Sequence, residues 1–198
     1  MSTSTKYHVR RKQGLQPGDA IVLTKPVGTG TLLAAEMRAK AKGRWIDAAI
    51  QSMLLSNQRE AECLQRYGAN ACADLTGFGT MGHLIEMTRA STVDAVLIME
   101  AIPLLDGALE TVKAGIQSSL QPQNLRLRRA IRDIEQISKH PAFPLLFDPQ
   151  TAGGLLAGVP NEHVSACIDE LHVTGYPEAA IIGEVEPLSS QQAPIRIS

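Results

Sequence analysis

Five short apolar runs, set apart by stretches long enough for helices and bounded by glycine or proline, constrain this chain more than any other feature. Residues 20–24, 69–74, 93–99, 155–159 and 180–185 each read as a strand. Residues 93–99 alternate apolar and polar, whereas 20–24 and 155–159 are apolar throughout and need cover on both faces. Between them the pattern predicts a helix over 31–37 capped by Thr31, one long helix over 44–67 and a helix from the loop after Asp74 to Ser91. A helix over 105–114, a short exposed one within 122–139, and one capped by Asn161 running to His172 complete the set. Alternating strands and helices with a hairpin-like end predict an α/β or α+β chain, a mixed sheet layered with helices.

The expected helix over 44–67 carries a stripe of Ile46, Ile50, Met53, Ala61 and Leu64, and Asn57 falls on it. An unpaired buried amide costs about 1–3 kcal/mol. Asn57 is therefore a satisfied core amide or sits at a frayed turn, or, on a sharper reading, faces a site or positions a loop.

Lys and Arg number 19 against 20 Asp and Glu, which excludes a broad electrostatic footprint for nucleic acid or an anionic membrane. Aromatics at 4% leave little for a base-stacking platform. Arg126, Arg128, Arg129 and Arg132 read first as a solvated face and second as an anion or partner surface. Cys63, Cys72 and Cys167 form no CxxC pair, so neither a disulfide scaffold nor a structural zinc site is expected, and a reducing compartment fits. Residues 1–18 are a polar, basic leader without the apolar region of a signal peptide. A soluble cytoplasmic protein with no nucleic-acid or membrane partner is the expectation.

The richest chemistry lies in residues 74–83. A carboxylate, Asp74, ends a strand; Thr76, Gly77 and Gly79 form a turn; and a helix N-terminus follows, the arrangement with which α/β folds meet phosphate. Residues 77–82 also match GxGxxG, with Glu100 following 18 residues after Gly82. Three readings stand: an Asp cap of the helix, a Mg²⁺–phosphate site, and a dinucleotide fold. Charge favours Mg²⁺ over the dinucleotide, because Asp74 beside a bare pyrophosphate would repel it, whereas Mg²⁺ takes one or two carboxylates plus phosphate oxygens. Residues 148–154, with Asp148, Gln150, Thr151, Gly153 and Gly154, are either an interstrand turn or a backbone cradle facing the first loop. Lys25 with Gly28 and Gly30 lacks the Gly-Lys-Ser/Thr ending of a P-loop and reads first as a structural turn. His83 and Glu86 are too few for a metal centre, and His83 reads as structural.

Taken in order, residues 23–30, residues 73–84, Ile102-Pro103 with Gly107-Ala108, and residues 148–156 resemble the C-terminal half of selenophosphate synthetase (selenide, water dikinase). The likeness runs from Gly14 to about Pro187. It implies the fold of the ATP-binding superfamily that includes aminoimidazole ribonucleotide synthetase and a hydrogenase-maturation protein. It implies a reaction in which ATP, selenide and water give selenophosphate, AMP and phosphate. In that family the N-terminal half supplies the reactive Cys or selenocysteine, a Lys, most nucleotide contacts and the homodimer interface. The resemblance places Asp74 on Mg²⁺ at the phosphates. With it, the reading of the loops sets Thr76, Gly77 and Gly79 near the ATP phosphates and Asn57, Asp148, Gln150, Thr151, Gly153 and Gly154 as a site wall facing the other half. The resemblance puts no catalytic residue in this chain. Ala73 stands where the family has Thr, and Ala152 where it has Ser. Residues 1–18 become a linker and 19–198 the C-terminal domain. Such a chain is a domain cut from a longer protein or a short gene product. The rival readings are another ATP-dependent member of the superfamily and a free-standing, non-catalytic partner domain.

Overall fold

All five expected strands form, and a sixth joins them in one mixed sheet. The structure, a computed structural model, describes residues 12–198; the first eleven residues of the expected leader lie outside the described residues. In chain order the elements are β1 (Asp19–Leu23), α1 (Thr29–Glu36), α2 (Gly43–Leu54), α3 (Gln58–Arg66), β2 (Ala71–Asp74), α4 (Gly79–Ser91) and β3 (Asp94–Leu97). Then come α5 (Ala108–Lys113), α6 (Gln121–Asn124), α7 (Ile134–Ile137), β4 (Leu155–Pro160), α8 (Asn161–Val173), β5 (Ala180–Glu186) and β6 (Ile195–Ile197). The sheet order is β2-β4-β1-β5-β3-β6, antiparallel except for the parallel pair β3–β6.

The two-residue period of a strand splits each apolar run between two cores. Ile21, Leu23, Ala71, Ala73 and Leu156 face one side, under Met81, Leu84 and Met87 of α4 and the 3₁₀ turn Phe143–Phe147. Ala20, Val22, Cys72, Leu155 and Ala157 face the other, under Cys63 and Leu64 of α3 and Val164, Cys167 and Leu171 of α8. Cover on both faces is why these strands are apolar throughout. It also overrides the alternation of residues 93–99, since β3 is buried along its whole length. A third cluster around Trp45, Leu32 and Ala108 joins α1, α2 and α5. The three cysteines are small core residues, and burial pushes the Cys167 thiol up to about 12, which leaves it inert.

Four expectations change. The helix over 44–67 is broken into α2 and α3, because tertiary hydrogen bonds claim the backbone between them. Lys25 Nζ donates to Leu55 O (2.6 Å), and the Tyr176 hydroxyl donates to Ser56 O (2.5 Å). Ile50, on the expected buried stripe, is 39% exposed, and Trp45 and Ala49 take the inner face instead. Thr31 does not cap α1; its hydroxyl donates to Ile116 O at 2.8 Å, and the helix starts two residues earlier. The helix expected over 105–114 begins only at Ala108, after Gly107 at φ 83°.

Gly107 is required twice over, by that φ and by the Trp45 ring, 2.0 Å from where a Cβ would stand. Gly107→Ala is expected to cost roughly 3 kcal/mol, from left-handed strain and overpacking together. Urea unfolding checks this; a cost below about 1 kcal/mol would mean the Trp45 cluster yields freely.

Candidate functional site

Both β1 and β2 run antiparallel to β4, with Leu23 opposite Leu156 and Asp74 opposite Leu155. The C-terminal ends of β1 and β2 and the start of β4 therefore lie side by side at one end of the strands. Three segments far apart in sequence, 24–30, 74–79 and 148–154, meet there.

They are bonded to one another. Leu75 N–H donates to Gly154 O (2.9 Å), and Gln150 N–H donates to Thr76 O (3.0 Å). The Thr24 hydroxyl accepts from Leu155 N–H at 2.7 Å. Gly79, at φ 69°, lets the first loop lie on the second: a Cβ there would stand 2.9 Å from Asp148 O. At Gly153 and Gly154 a Cβ would meet Leu75 O at 2.7 Å and Lys25 N at 2.6 Å. Gly77 differs, since nothing lies within 4 Å of its missing side chain. The packing of this chain does not call for glycine there.

Asp74 is exposed and shares a cavity of about 280 Å³ with Lys12, Asn57 and the small side chains of Ala61, Cys72 and Ala73. Asn57 sits in the turn between α2 and α3 as a satisfied amide, and its Nδ2 donates to Gly153 O (2.8 Å), tying that turn to the second loop. Among the described residues no group of three or more His, Cys, Asp or Glu gathers to hold a metal. One carboxylate suits Mg²⁺ only where phosphates, water or another polypeptide complete the shell.

The backbone behind Asp74 rests on His83. Thr76 N–H donates to His83 Nε2 (3.2 Å), and the Thr76 hydroxyl contacts the same nitrogen at 3.0 Å. Burial lowers the imidazole pKa, with the Lys12 charge adding to it. Because Nε2 accepts from Thr76 N–H, the neutral ring carries its proton on Nδ1, a buried atom with no hydrogen-bond partner among the described residues. Phe78 packs edge-on against this ring, 5.9 Å between centroids, and is otherwise 61% exposed. Asn124 was not singled out by the sequence. Its Nδ2 donates to Gly77 O (2.7 Å) and Phe147 O (3.1 Å), bracing both loops from a stretch that reads as polar surface.

Thr151 is exposed, but it lines a separate cleft with Gly30 and Leu33 of α1 and its N–H donates to the Thr29 hydroxyl (2.9 Å), beside Ala152 at φ 46°. Asp148 and Gln150 are buried and face α1. Asp148 Oδ2 accepts from Gly30 N–H (3.1 Å), and Gln150 Oε1 accepts from Gly28 N–H (3.1 Å) and Thr29 N–H (3.3 Å). The start of α1 is thus filled by the chain's own oxygens. Lys25 points to the carbonyl end of α2, where burial lowers its pKa. The segment 25–30 is structural.

The dinucleotide reading is overturned. It needs a parallel βαβ unit, but β2 is an edge strand paired antiparallel with β4 alone, and β3 lies four places away across the sheet. Glu100 meets His140 at 3.0 Å instead.

Burial pushes the Asp148 carboxyl up to about 7, against hydrogen bonds from Thr31, Gln150 and Gly30 that pull it down. An unfolded carboxyl titrates near 3.9. Between these values the folded chain holds a proton that the unfolded chain has released, so this stability is full below about pH 4 and lost as pH rises towards 7. The stability difference between wild type and Asp148→Asn is expected to shift against the wild type by roughly 3 kcal/mol from pH 5 to pH 8. Urea unfolding at both pH values measures it, and a constant difference would show that Asp148 ionises normally.

Set beside known proteins, residues 16–193 match the family described as AIR synthase related protein, C-terminal domain, and the chain belongs to that family. More particularly, it is 36% identical over 177 residues to selenide, water dikinase 2 of Peptoclostridium acidaminophilum, covering 89% of this chain and 51% of the relative. It is 32% identical over 174 residues to selenide, water dikinase of Clostridioides difficile, covering 87% and 49%. The chain spans about half the length of these curated relatives. Among solved structures, hydrogenase maturation protein HypE in complex with ATP superposes with a TM-score of 0.65 at 19% identity, over 95% of this chain and 49% of that one. The complex of AaThiL with AMPPCP and TMP gives 0.56 at 19%, over 94% and 49%. These two likenesses carry the fold, an α+β mixed sheet.

Proposed function

We propose that this chain is the C-terminal half of a selenide, water dikinase, and that it forms one wall of a site for Mg-ATP. The observation that carries the reading is exposed Asp74 at the end of β2, on a loop bonded to residues 148–154, in a chain matching half of relatives that bear that name. In the intact enzyme, ATP, selenide and water would give selenophosphate, AMP and phosphate. Phosphoryl transfer is governed by positioning and charge neutralisation. Asp74 would hold Mg²⁺, which lowers the charge of the phosphates. Gly77, open at its missing side chain, would let backbone approach them at the start of α4, which has no side-chain cap, while Thr76 and Gly79 hold the turn, their N–H groups donating to His83 Nε2 and Thr76 O. Gly153 and Asn57 would shape the facing wall, with Asp148, Gln150, Thr151 and Gly154 supporting it from behind. The nucleophile, a catalytic Lys, most nucleotide contacts and the homodimer interface would belong to the other half. The setting would be the cytoplasm. Among the described residues no helix is long and apolar enough to cross a membrane.

The test is ³¹P NMR with Mg-ATP and selenide under anaerobic, reducing conditions. The chain alone is expected to give no selenophosphate, and turnover is expected when a nucleotide-binding half is supplied. Turnover by the chain alone would overturn the split site. Selenide-independent ATP cleavage with the added half would point to another member of the superfamily.

A further inference from the structure

We propose that Gln150 is the positioning residue of this site: its side chain fixes where the Asp74 loop stands relative to the start of α1. The functional consequence rests on the reading of Asp74 given above, but the geometry does not. Gln150 is buried and has polar partners on three sides. Its Oε1 accepts from Gly28 N–H, Thr29 N–H and the Thr29 hydroxyl, at 3.1, 3.3 and 3.1 Å. Its Nε2 donates to Asp148 O at 2.9 Å and Asp148 Oδ2 at 3.0 Å. Its backbone N–H holds Thr76 O at 3.0 Å, and Thr76 in turn bonds His83. Gln150 therefore joins three segments: its side chain ties the start of α1 to the second loop, and its backbone N–H, beside the Leu75–Gly154 bond, ties the second loop to the first.

Only a side-chain amide of this length meets the demand. The α1 side presents donors and needs an acceptor, while the Asp148 side presents oxygens and needs a donor. Glu keeps the acceptor and loses the donor, setting a second carboxyl against Asp148. Met keeps the shape and loses both. Asn is one methylene short of spanning the gap.

The readout that separates positioning from packing is the His83 ring, which reports the loop because its Nε2 receives Thr76 N–H. The test uses the ¹⁵N-labelled chain at pH 8, comparing wild type with Gln150→Met, Gln150→Glu and a far-edge core variant, Ile195→Ala. In the wild type the imidazole ¹⁵N shifts should be those of an Nδ1–H ring with an accepting Nε2. Gln150→Met is expected to speed exchange of the Gly28 and Thr29 amides at least tenfold and to move His83 to a mixture of tautomers. Gln150→Glu should keep most of the Gly28 and Thr29 protection, and Ile195→Ala should leave His83 unchanged. An unmoved His83 in Gln150→Met, with Gly28 and Thr29 exposed, would reduce Gln150 to a cap of α1 and overturn the proposal. So would a His83 that moves equally in Ile195→Ala.

Mn²⁺ with ATP, read as broadening of the Thr76 and Gly77 amides, tests the consequence. The Mn²⁺ needed is expected to rise at least fivefold in Gln150→Met. No broadening in any variant, alongside the tautomer change, would sink the metal reading and leave the positioning role standing.

Discussion

On the proposed reading, with a nucleotide-binding half supplied, Asp74→Asn is expected to lower selenide-dependent ATP cleavage by about 10²–10³-fold, the scale on which removing one preorganised electrostatic group is felt. The substitution keeps size and removes charge. Asp74 is exposed and has no part in the core, so thermal stability should change little. The loss should ease as Mg²⁺ is raised, because a weakened site can be refilled by mass action. Activity within threefold of wild type at low Mg²⁺ would remove Asp74 from the metal site.

The largest expected effect on stability lies at the far edge of the sheet. Asp94 on β3 is buried, and its Oδ2 accepts from Arg132 Nη2 and from Ser189 N–H (2.9 Å). Arg132 also donates to Ala193 O (2.7 Å) and Ser189 Oγ (2.9 Å), which ties the segment before β6 to the sheet. Burial pushes the Asp94 carboxyl upward, but the Ser189 and Arg132 hydrogen bonds outweigh it and hold the pKa below the ordinary value. Arg132→Ala leaves that charge buried and unpaired, at an expected cost of about 3–5 kcal/mol. Thermal unfolding should show a midpoint lower by about 10 °C. Asp94→Asn added to Arg132→Ala should recover part of the loss. A single-variant shift below about 2 °C would show that water reaches Asp94 and that the pair is dispensable.

Arg132 illustrates what the sequence hid. It sits in a four-arginine stretch that reads as a solvated face, and Arg126, Arg128 and Arg129 are indeed exposed. Its partner lies 38 residues away, and no local pattern announces it. β6 escaped for a related reason. Its three residues are too few for a period, and they become a strand only because β3 offers an open edge.

The five longer strands, the layered class and the two loops on either side of the site were legible, because apolar periodicity and glycine punctuation are local consequences of backbone geometry. Local pattern alone picked out two candidate segments: an acid, a glycine turn and a helix start around Asp74, and an acid with paired glycines around Asp148. Only the tertiary structure decided which side chains face outward. Asp74 is left open, while Asp148, Gln150 and Lys25 turn inward to satisfy the ends of α1 and α2. Helix ends leave donors and acceptors that must find partners, and a buried loop answers them with whatever polar side chain the fold brings near. That pairing depends on the antiparallel setting of β4 between β1 and β2, which makes neighbours of residues more than a hundred positions apart.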